Sequence, residues 1–559
     1  MCNIENDKHY SKRLRSLLNS IYVKHACFNI KCMTLLTFNI QILLIAKVLI
    51  MCYSGKCEAA SPGDLSNRGD RNDYNNSGRT GGRRFLNEFL GWLQKIKVKE
   101  ELTSLGKITF PLVISGLIFF SKSLISMFFL GHLGNIELAG GSLAMGFANI
   151  TGYSVMKGLA MGMEPICCQA FGAKKCTVLS QTFKQTFCLL LLGAIPITLL
   201  WLNMEPILLS IGQDKTITSV AKIFLTYSIP ELLAQALLNP LRIFLRAQSL
   251  NLPFTLSATF AMILHLPINY FLVIYLDLGV RGVALATACN TLNINLALLV
   301  YLYFTQTAIK PWVGQVVTKC YLDWLPLMSL MAPSVLSVCL EWWWYEIMVL
   351  LCGLTNNPET SIAAVGILIQ ITGLLYVFPH SLSSTLSMRV GQELGAESPA
   401  QARQTAIIGL IIAMVCGLLA FTFTIAVKDV WGKLYTCEPQ VIALTSVVLP
   451  VLGFCELGNY TQTAACGILV GSARPNVGAC INFCSFYLVG LPVAAYAAFE
   501  LNKGVLGLWF GLAAAQATCM CMMICTVVFT DWKHQAKRAM ELTQATEDHK
   551  NDLEANLLT

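Results

Sequence analysis

The sequence predicts an all-α polytopic membrane protein of twelve transmembrane helices, arranged as two pseudo-symmetric lobes of six. Three observations predict it. Of 559 residues, 55% are hydrophobic and only 13% are charged, with a mean hydropathy of +0.61; a soluble domain carries about 25% charged residues. Twelve apolar stretches of spanning length follow one another between Lys107 and Thr530. Short motifs of the first half recur in the second at nearly constant spacing.

A spanning helix needs about 20 mostly apolar residues. The first six stretches lie near 107–130, 144–164, 182–202, 217–240, 251–276 and 281–307. The second six lie near 325–352, 361–385, 403–427, 439–465, 476–499 and 504–530. Barrel strands would be about 10 residues long with alternating polarity, a pattern absent from these stretches. F-P at 110–111 recurs as A-P at 332–333, a spacing of 222. Q-A-F-G-A (169–173) recurs as Q-E-L-G-A (392–396), spaced by 223. L-P at 266–267 and G-V-R-G at 279–282 recur as L-P at 491–492 and G-V-L-G at 504–507, both spaced by 225. Ordered matches at one spacing mark an internal duplication. Six spans return the chain to its starting side, so the copies share one orientation and meet about an axis along the membrane normal.

The predicted organisation is an N-terminal tail (1–99), a first lobe (100–310), a second lobe (311–530) and a cytosolic C-terminal tail (531–559). Within the N-terminal tail, 34–53 is apolar but interrupted by Asn39, Gln41 and Lys47. It reads as an extra span, a signal-like segment or a surface-lying helix, and it is not expected to act as a cleaved signal. Residues 54–84 form a polar linker with too few apolar residues to fold alone. The C-terminal tail is expected to lack an apolar face wide enough for a core. With residues 85–106 in the cytosol, cytoplasmic loops carry Lys174, Lys175, Arg242, Arg246, Lys310, Lys319, Arg389, Arg403 and Arg474. The opposite loops carry Lys215, Arg281, Lys428, Lys433 and Lys503. That excess places both tails in the cytosol. The linker sequon at Asn75 should then stay unglycosylated.

The net charge of +8 flanks apolar segments, so it implies lipid topology rather than nucleic-acid binding. The 22 cysteines lie mostly within apolar stretches, and no paired CxxC suggests zinc. No GxxxxGK[ST] is present, so the chain encodes no P-loop ATPase. Sparse histidines (His132, His265, His380) offer no spacing for a metal cluster or an intramembrane enzyme.

Glu341 and Glu346 stand inside L-E-W-W-W-Y-E-I-M-V-L-L (340–351). A carboxylate at membrane depth costs about 2.5–3.5 kcal/mol even on lenient scales, so it is retained with a partner, a cavity or a task. Five residues apart, the two acids point about 140° from each other on a helix. Trp343 and Tyr345, in the same aromatic run, are candidates to hold an organic cation by its charge; an interfacial aromatic belt is the plainer reading. Pro111 and Pro333 occupy equivalent places in the two copies, where a missing hydrogen bond permits a hinge or a fixed kink.

Four motifs carry a family resemblance over about residues 100–535. They are G-H-L-G-N-I-E-L-A-G-G-S-L (131–143), M-G-M-E-P-I-C-C-Q-A-F-G-A (161–173), C-L-E-W-W-W-Y-E (339–346) and G-I-L-V-G-S-A-R-P-N-V-G-A (467–479). Together they resemble plant members of the multidrug and toxic compound extrusion (MATE) family, the DETOXIFICATION proteins. The resemblance implies a twelve-helix antiporter whose two lobes form a V and expose a solute site alternately to either side. It would export organic cations or amphipathic metabolites and xenobiotics in exchange for protons. Organic-anion export on the same fold, and flipping of a lipid-linked precursor, remain the alternatives.

The resemblance carries acids at both Glu341 and Glu346 into this chain. The family's helix-ten acid falls at Asn459, with Glu456 one turn earlier to replace it, and a helix-eight acid of some members falls at Gln370. The first-lobe Asp of bacterial members falls at Ser126, which shifts coupling to the second lobe. Cys168 replaces a usual Gly, and Val470 a common Arg. Glu164 is expected to pair with a basic residue near the cytoplasmic end. Expected partners are a small organic solute, protons and the bilayer, with no cofactor, no metal and no nucleic acid. The protein is expected to work as a monomer in the plasma membrane or a vacuolar or endosomal membrane.

Overall fold

The computed structural model describes residues 98–210, 213–312, 324–355 and 357–544. The apolar segment 34–53, the linker and Asn75 lie outside the described residues. Every regular element among the described residues is helical. Ten helices are long and apolar enough to cross a membrane. They are Lys99–Leu133, Cys176–Leu202, Leu252–Tyr275, Val280–Phe304, Leu325–Cys352, Pro358–Gly395, Pro399–Leu434, Pro439–Gly471, Pro475–Glu500 and Val505–Val528. An eleventh passage is the pair Lys215–Tyr227 and Ile229–Ala247, bent by 45° at Ser228, just before Pro230.

The stretch expected as a second span is helical but interrupted. Asn135–Ala148 passes through a π-helical turn, Asn149–Tyr153, into Ser154–Met161, and a further helix runs Glu164–Gly172. Pro165 opens that last helix, where its missing N–H costs nothing. No one helix here reaches spanning length, which is why ten or eleven passages meet the length test against twelve expected. The passages are numbered one to twelve below, this interrupted one being the second.

Two cores match the two halves of the chain. One is built around Met156, Trp201, Leu241, Phe244 and Leu298, the other around Trp344, Leu386, Leu452, Leu469 and Trp509. Apolar side chains such as Phe128, Ile263, Leu350 and Leu419 stay exposed, as lipid-facing surfaces require.

The duplication is visible in the backbone. Positive φ occurs at Lys174 and Glu397 (60° and 56°), Ser249 and Ala473 (62° and 56°), Asp277 and Asn502 (50° and 51°), and Gly279 and Gly504 (55° and 53°). These pairs are 223, 224, 225 and 225 residues apart. Left-handed backbone is unfavourable for most residues, so its recurrence at the repeat spacing means the same turns were kept in both copies.

The lobes meet along two antiparallel seams. The second span follows the seventh: Gly162 lies against Met331 and Gly158 against Val335. Further along, the Cys339 thiol donates to Ser154 Oγ (3.7 Å) and Trp343 Nε1 donates to the Ile150 carbonyl (3.4 Å). The first span follows the eighth, through Thr109 and Thr385 (Oγ1–Oγ1 3.0 Å), Gly116 against Val377 and Gly373 against Phe120.

One end of the lobe interface is sealed by reciprocal contacts. Gln169 Nε2 donates to the Gly471 carbonyl (3.0 Å), and Gln392 Nε2 donates to the Ala247 carbonyl (2.8 Å). Gly172 lies against the Gln392 carbonyl and Gly395 against the Gln169 carbonyl, where a Cβ on either glycine would overlap the oxygen. The repeated Q-x-x-G of each copy thus locks onto its counterpart.

Two expectations are corrected. The C-terminal tail does have an apolar face: residues 532–544 are helical, with Trp532, Ala536 and Ala539 buried in the second core and Leu542 packed on the first. The stripe repeats at helical spacing but contains two alanines, so its low hydrophobicity conceals it. Of the residues counted as loop charges, Arg242 and Arg246 lie inside the helix Ile229–Ala247, and Arg389, Arg403, Lys215, Arg281 and Lys428 also fall within helices. The fourth apolar stretch was expected to end near 240, but the helix continues through Pro240 to Ala247.

Candidate functional site

The seventh span carries the acids into two environments. Glu341 is partly buried, beside Tyr376 of the eighth span and within electrostatic reach of Lys157 from the first lobe. Glu346 is exposed, on the same stripe as Trp343 (40%) and Leu350 (73%). The 140° between the acids separates them as helical geometry requires. Trp344 is fully buried against Phe486 and Tyr487, with ring centroids 5.6 and 6.4 Å away. Tyr345, one turn after Glu341, is within reach of both Glu341 and Glu456.

Glu456 of the tenth span is 2% exposed. Asn459 Nδ2 donates to its Oε2 (2.9 Å), and Thr463 Oγ1 donates to Asn459 Oδ1 (3.2 Å). These residues share one helix face at i, i+3 and i+7. No Lys, Arg or His among the described residues comes within ion-pair distance of Glu456. The structure therefore gathers Glu341, Tyr345, Glu456 and Asn459 in the second lobe. Gln370 is half-buried on the eighth span and makes no side-chain hydrogen bond to a described residue.

Pro111 and Pro333 lie inside long helices. The Pro111 carbonyl accepts from Ser115 Oγ and from Thr255 Oγ1 of the fifth span, both at 2.9 Å. Proline leaves a carbonyl one turn earlier without its usual N–H, and hydroxyls here tie the backbone around it.

The first lobe holds a charge centre that no motif indicated. Lys122 Nζ lies 2.7 Å from Glu231 Oε1 and 3.3 Å from Thr291 Oγ1. Tyr153 donates to Glu231 Oε2 (3.1 Å) and Thr291 to Oε1 (3.4 Å). The sequence signals were a lysine in the first apolar stretch, Lys122, readable as a counter-charge or as a side chain snorkelling to the interface, and an acid in the apolar run I-P-E-L-L-A (229–234). Ser126, one turn after Lys122, is 1% exposed, and its hydroxyl has no hydrogen-bond partner. Nearer the sealed end, Glu164 accepts from Arg246 Nη2 at 2.5 Å, with both side chains buried, the pairing expected for Glu164.

The two acid centres differ in how their charge is met. Glu231 has a lysine and two hydroxyls, while Glu456 has one amide. A buried carboxylate with a cation partner can keep its charge, whereas one with only a neutral donor must offset it with a proton or a mobile cation.

The MatE family model matches residues 111–271 and 333–496. The matches start 222 and end 225 residues apart (333 less 111, 496 less 271). The chain is 56% identical over 453 residues to Protein DETOXIFICATION 53 of Arabidopsis thaliana, covering 81% of this chain and 93% of that one. It is 51% identical over 455 residues to Protein DETOXIFICATION 48 of the same plant, covering 81% and 85%. In three dimensions it is similar to the eukaryotic MATE transporter AtDTX14, with a TM-score of 0.76 at 31% identity, covering 80% of this chain and 99% of that one.

Proposed function

From the premise that this chain belongs to the MatE family of integral-membrane efflux transporters, we propose that it exports organic cations or amphipathic metabolites and xenobiotics in exchange for protons. The carrying observation is Glu456: a carboxylate 2% exposed and held by one amide, with both it and Glu341 within electrostatic reach of Tyr345. A proton and an organic cation are alternative ways to offset the same charge, so binding one displaces the other. Mutually exclusive occupancy of a site exposed in turn to each side is what exchange requires. Aromatic faces at Trp343 and Tyr345 add attraction for an organic cation, worth about 0.5–2 kcal/mol each. Gln370 and Asn459 supply neutral polar contacts, and Pro111 and Pro333 are the candidate hinges. The protein acts as a monomer, with the proton gradient in place of a cofactor.

Glu346→Gln and Glu341→Gln test the acids of the seventh span. In sealed proteoliposomes with an imposed pH gradient, both variants should lose proton-driven efflux of an organic cation, Glu346→Gln completely and Glu341→Gln to a smaller degree. Parent-like pH-driven transport by Glu346→Gln would remove that exposed acid from the coupling path.

For membrane placement we propose the plasma membrane or a vacuolar or endosomal membrane, with both tails in the cytosol. Among the described residues, the counted basic residues that lie outside α-helices are Lys174, Lys175, Lys310 and Arg474 on the cytoplasmic side against Lys433 and Lys503 on the other, which supports that orientation. Expression in a glycosylating system should leave Asn75 bare. A glycosidase-sensitive mobility shift that disappears in Asn75→Gln would put the linker on the lumenal side and reverse the orientation.

A further inference from the structure

Arg242 is a cation of the lobe interface with no carboxylate of its own: Glu164, the acid within its electrostatic reach, is bonded to Arg246. Among the described residues no carboxylate lies within ion-pair distance of it. Its guanidinium lies over Phe254, 5.0 Å from the centroid, and over Phe119 at 6.0 Å. Those rings stack on each other at 5.9 Å and 19°. Its Nε is enclosed and makes no hydrogen bond.

The neighbours deepen the imbalance. Arg246, one turn on, is paired with Glu164. Lys157 lies 5.1 Å from the centroid of Trp342 and within electrostatic reach of Arg242, Arg246, Glu164 and Glu341. His380 is stacked on Tyr376 at 5.6 Å and 11°, facing the charges of Lys157, Arg242 and Arg246. Glu164 answers Arg246, and Glu341 is the one acid left for Lys157. Arg242 keeps a full positive charge against two phenyl faces. Cation–π contact offsets only part of the cost of removing such a charge from water.

We propose that Arg242, with Lys157 and His380, forms an anion subsite between the lobes that takes the carboxylate of an aromatic acid. The guanidinium lies against two phenyl rings and its N–H groups make no hydrogen bond to a described residue, which leaves two parallel N–H donors for a carboxylate to take up. Lys157 supplies a second charge and His380 a ring N–H. The Trp342, Tyr376 and His380 rings offer faces for the acid's own ring. The subsite names the acidic group of an amphipathic solute, and it rests on the transporter reading only in taking the interlobe space as the solute's path.

The test is direct binding to the purified full-length protein in lipid nanodiscs, with radiolabelled 4-hydroxybenzoate as the probe. Saturable binding is expected, displaced by unlabelled benzoate and not by neutral benzamide. Arg242→Gln should weaken it by about tenfold or more, since the forked charge is lost, while Arg242→Lys retains the charge and loses less. Lys157→Gln is the second variant, independent of the Phe119–Phe254 stack. Arg281→Gln, which removes a cation stacked on Tyr227 at 5.6 Å, should bind as the parent does. Thermal unfolding of each variant establishes that it is folded. Absence of saturable binding to the parent, displacement by benzamide as readily as by benzoate, or parent-like binding by both Arg242→Gln and Lys157→Gln would overturn the subsite. Binding without any proton-driven transport would leave the subsite standing and overturn the exchange reading instead.

Discussion

Glu456→Gln is expected to lower proton-driven efflux of an organic cation by about tenfold or more, equivalent to about 1.4 kcal/mol of lost coupling, while the protein stays folded. The substitution keeps the size of the side chain and can still accept from Asn459 Nδ2, which now donates to Glu456 across 2.9 Å. What it removes is the charge that a proton or cation would offset. Stability should therefore change little or rise, because an uncompensated buried carboxylate is itself a cost. Ser126→Ala is the paired measurement in the first lobe. Its hydroxyl is buried without a partner, so its loss should leave about half or more of transport. Efflux and thermal unfolding measured on both variants in one vesicle preparation check the pair. A large loss in Ser126→Ala with parent-like efflux in Glu456→Gln would place the ion site in the first lobe.

Glu231→Gln should have the largest effect on stability. Removing one member of a buried ion pair leaves the other uncompensated, at a cost of about 3–5 kcal/mol. Here the stranded group is Lys122, whose side chain is 12% exposed and whose other contact is the Thr291 hydroxyl. Tyr153 would lose its charged acceptor as well. The thermal midpoint in detergent should fall markedly. The double variant Lys122→Met with Glu231→Leu should recover most of the loss, because apolar side chains of similar volume often replace a buried pair at no cost. Efflux should follow the amount of folded protein. If Glu231→Gln were as stable as the parent and yet failed to transport, the first lobe would hold a coupling acid, and Ser126 would no longer mark it as silent.

The acid centres show where local pattern suffices and where it does not. Glu341 and Glu346 stood out because each interrupts an apolar run, and interruption is a property of adjacent residues; Glu456 was singled out through the family's helix-ten position at Asn459. Glu456 and Asn459 are three apart on one helix, so their hydrogen bond was within reach of helical periodicity. Glu231 interrupts an apolar run too, but its meaning depends on Lys122, 109 residues earlier, and Tyr153, 78 residues earlier. Arg242 was read as a loop charge because the fourth apolar stretch ends near 240, whereas the helix runs on to Ala247.

The sequence by itself determined the membrane class, the helical passages, the twofold repeat and the acids worth testing. Hydropathy, helical period and repeat spacing act over stretches of chain short enough to compare by inspection. Only the tertiary structure decided which of those charges are answered. It paired Lys122 with Glu231 and Arg246 with Glu164, left Glu456 with a single amide, and set Arg242 against two phenyl rings. It also joined the two Q-x-x-G motifs across the interface, where each glycine makes room for the other copy's glutamine carbonyl. The physical reason is range. Burial in lipid is assigned residue by residue, but a charge in a low-dielectric interior is governed by whatever lies within a few ångströms, and packing brings those groups from distant parts of the chain.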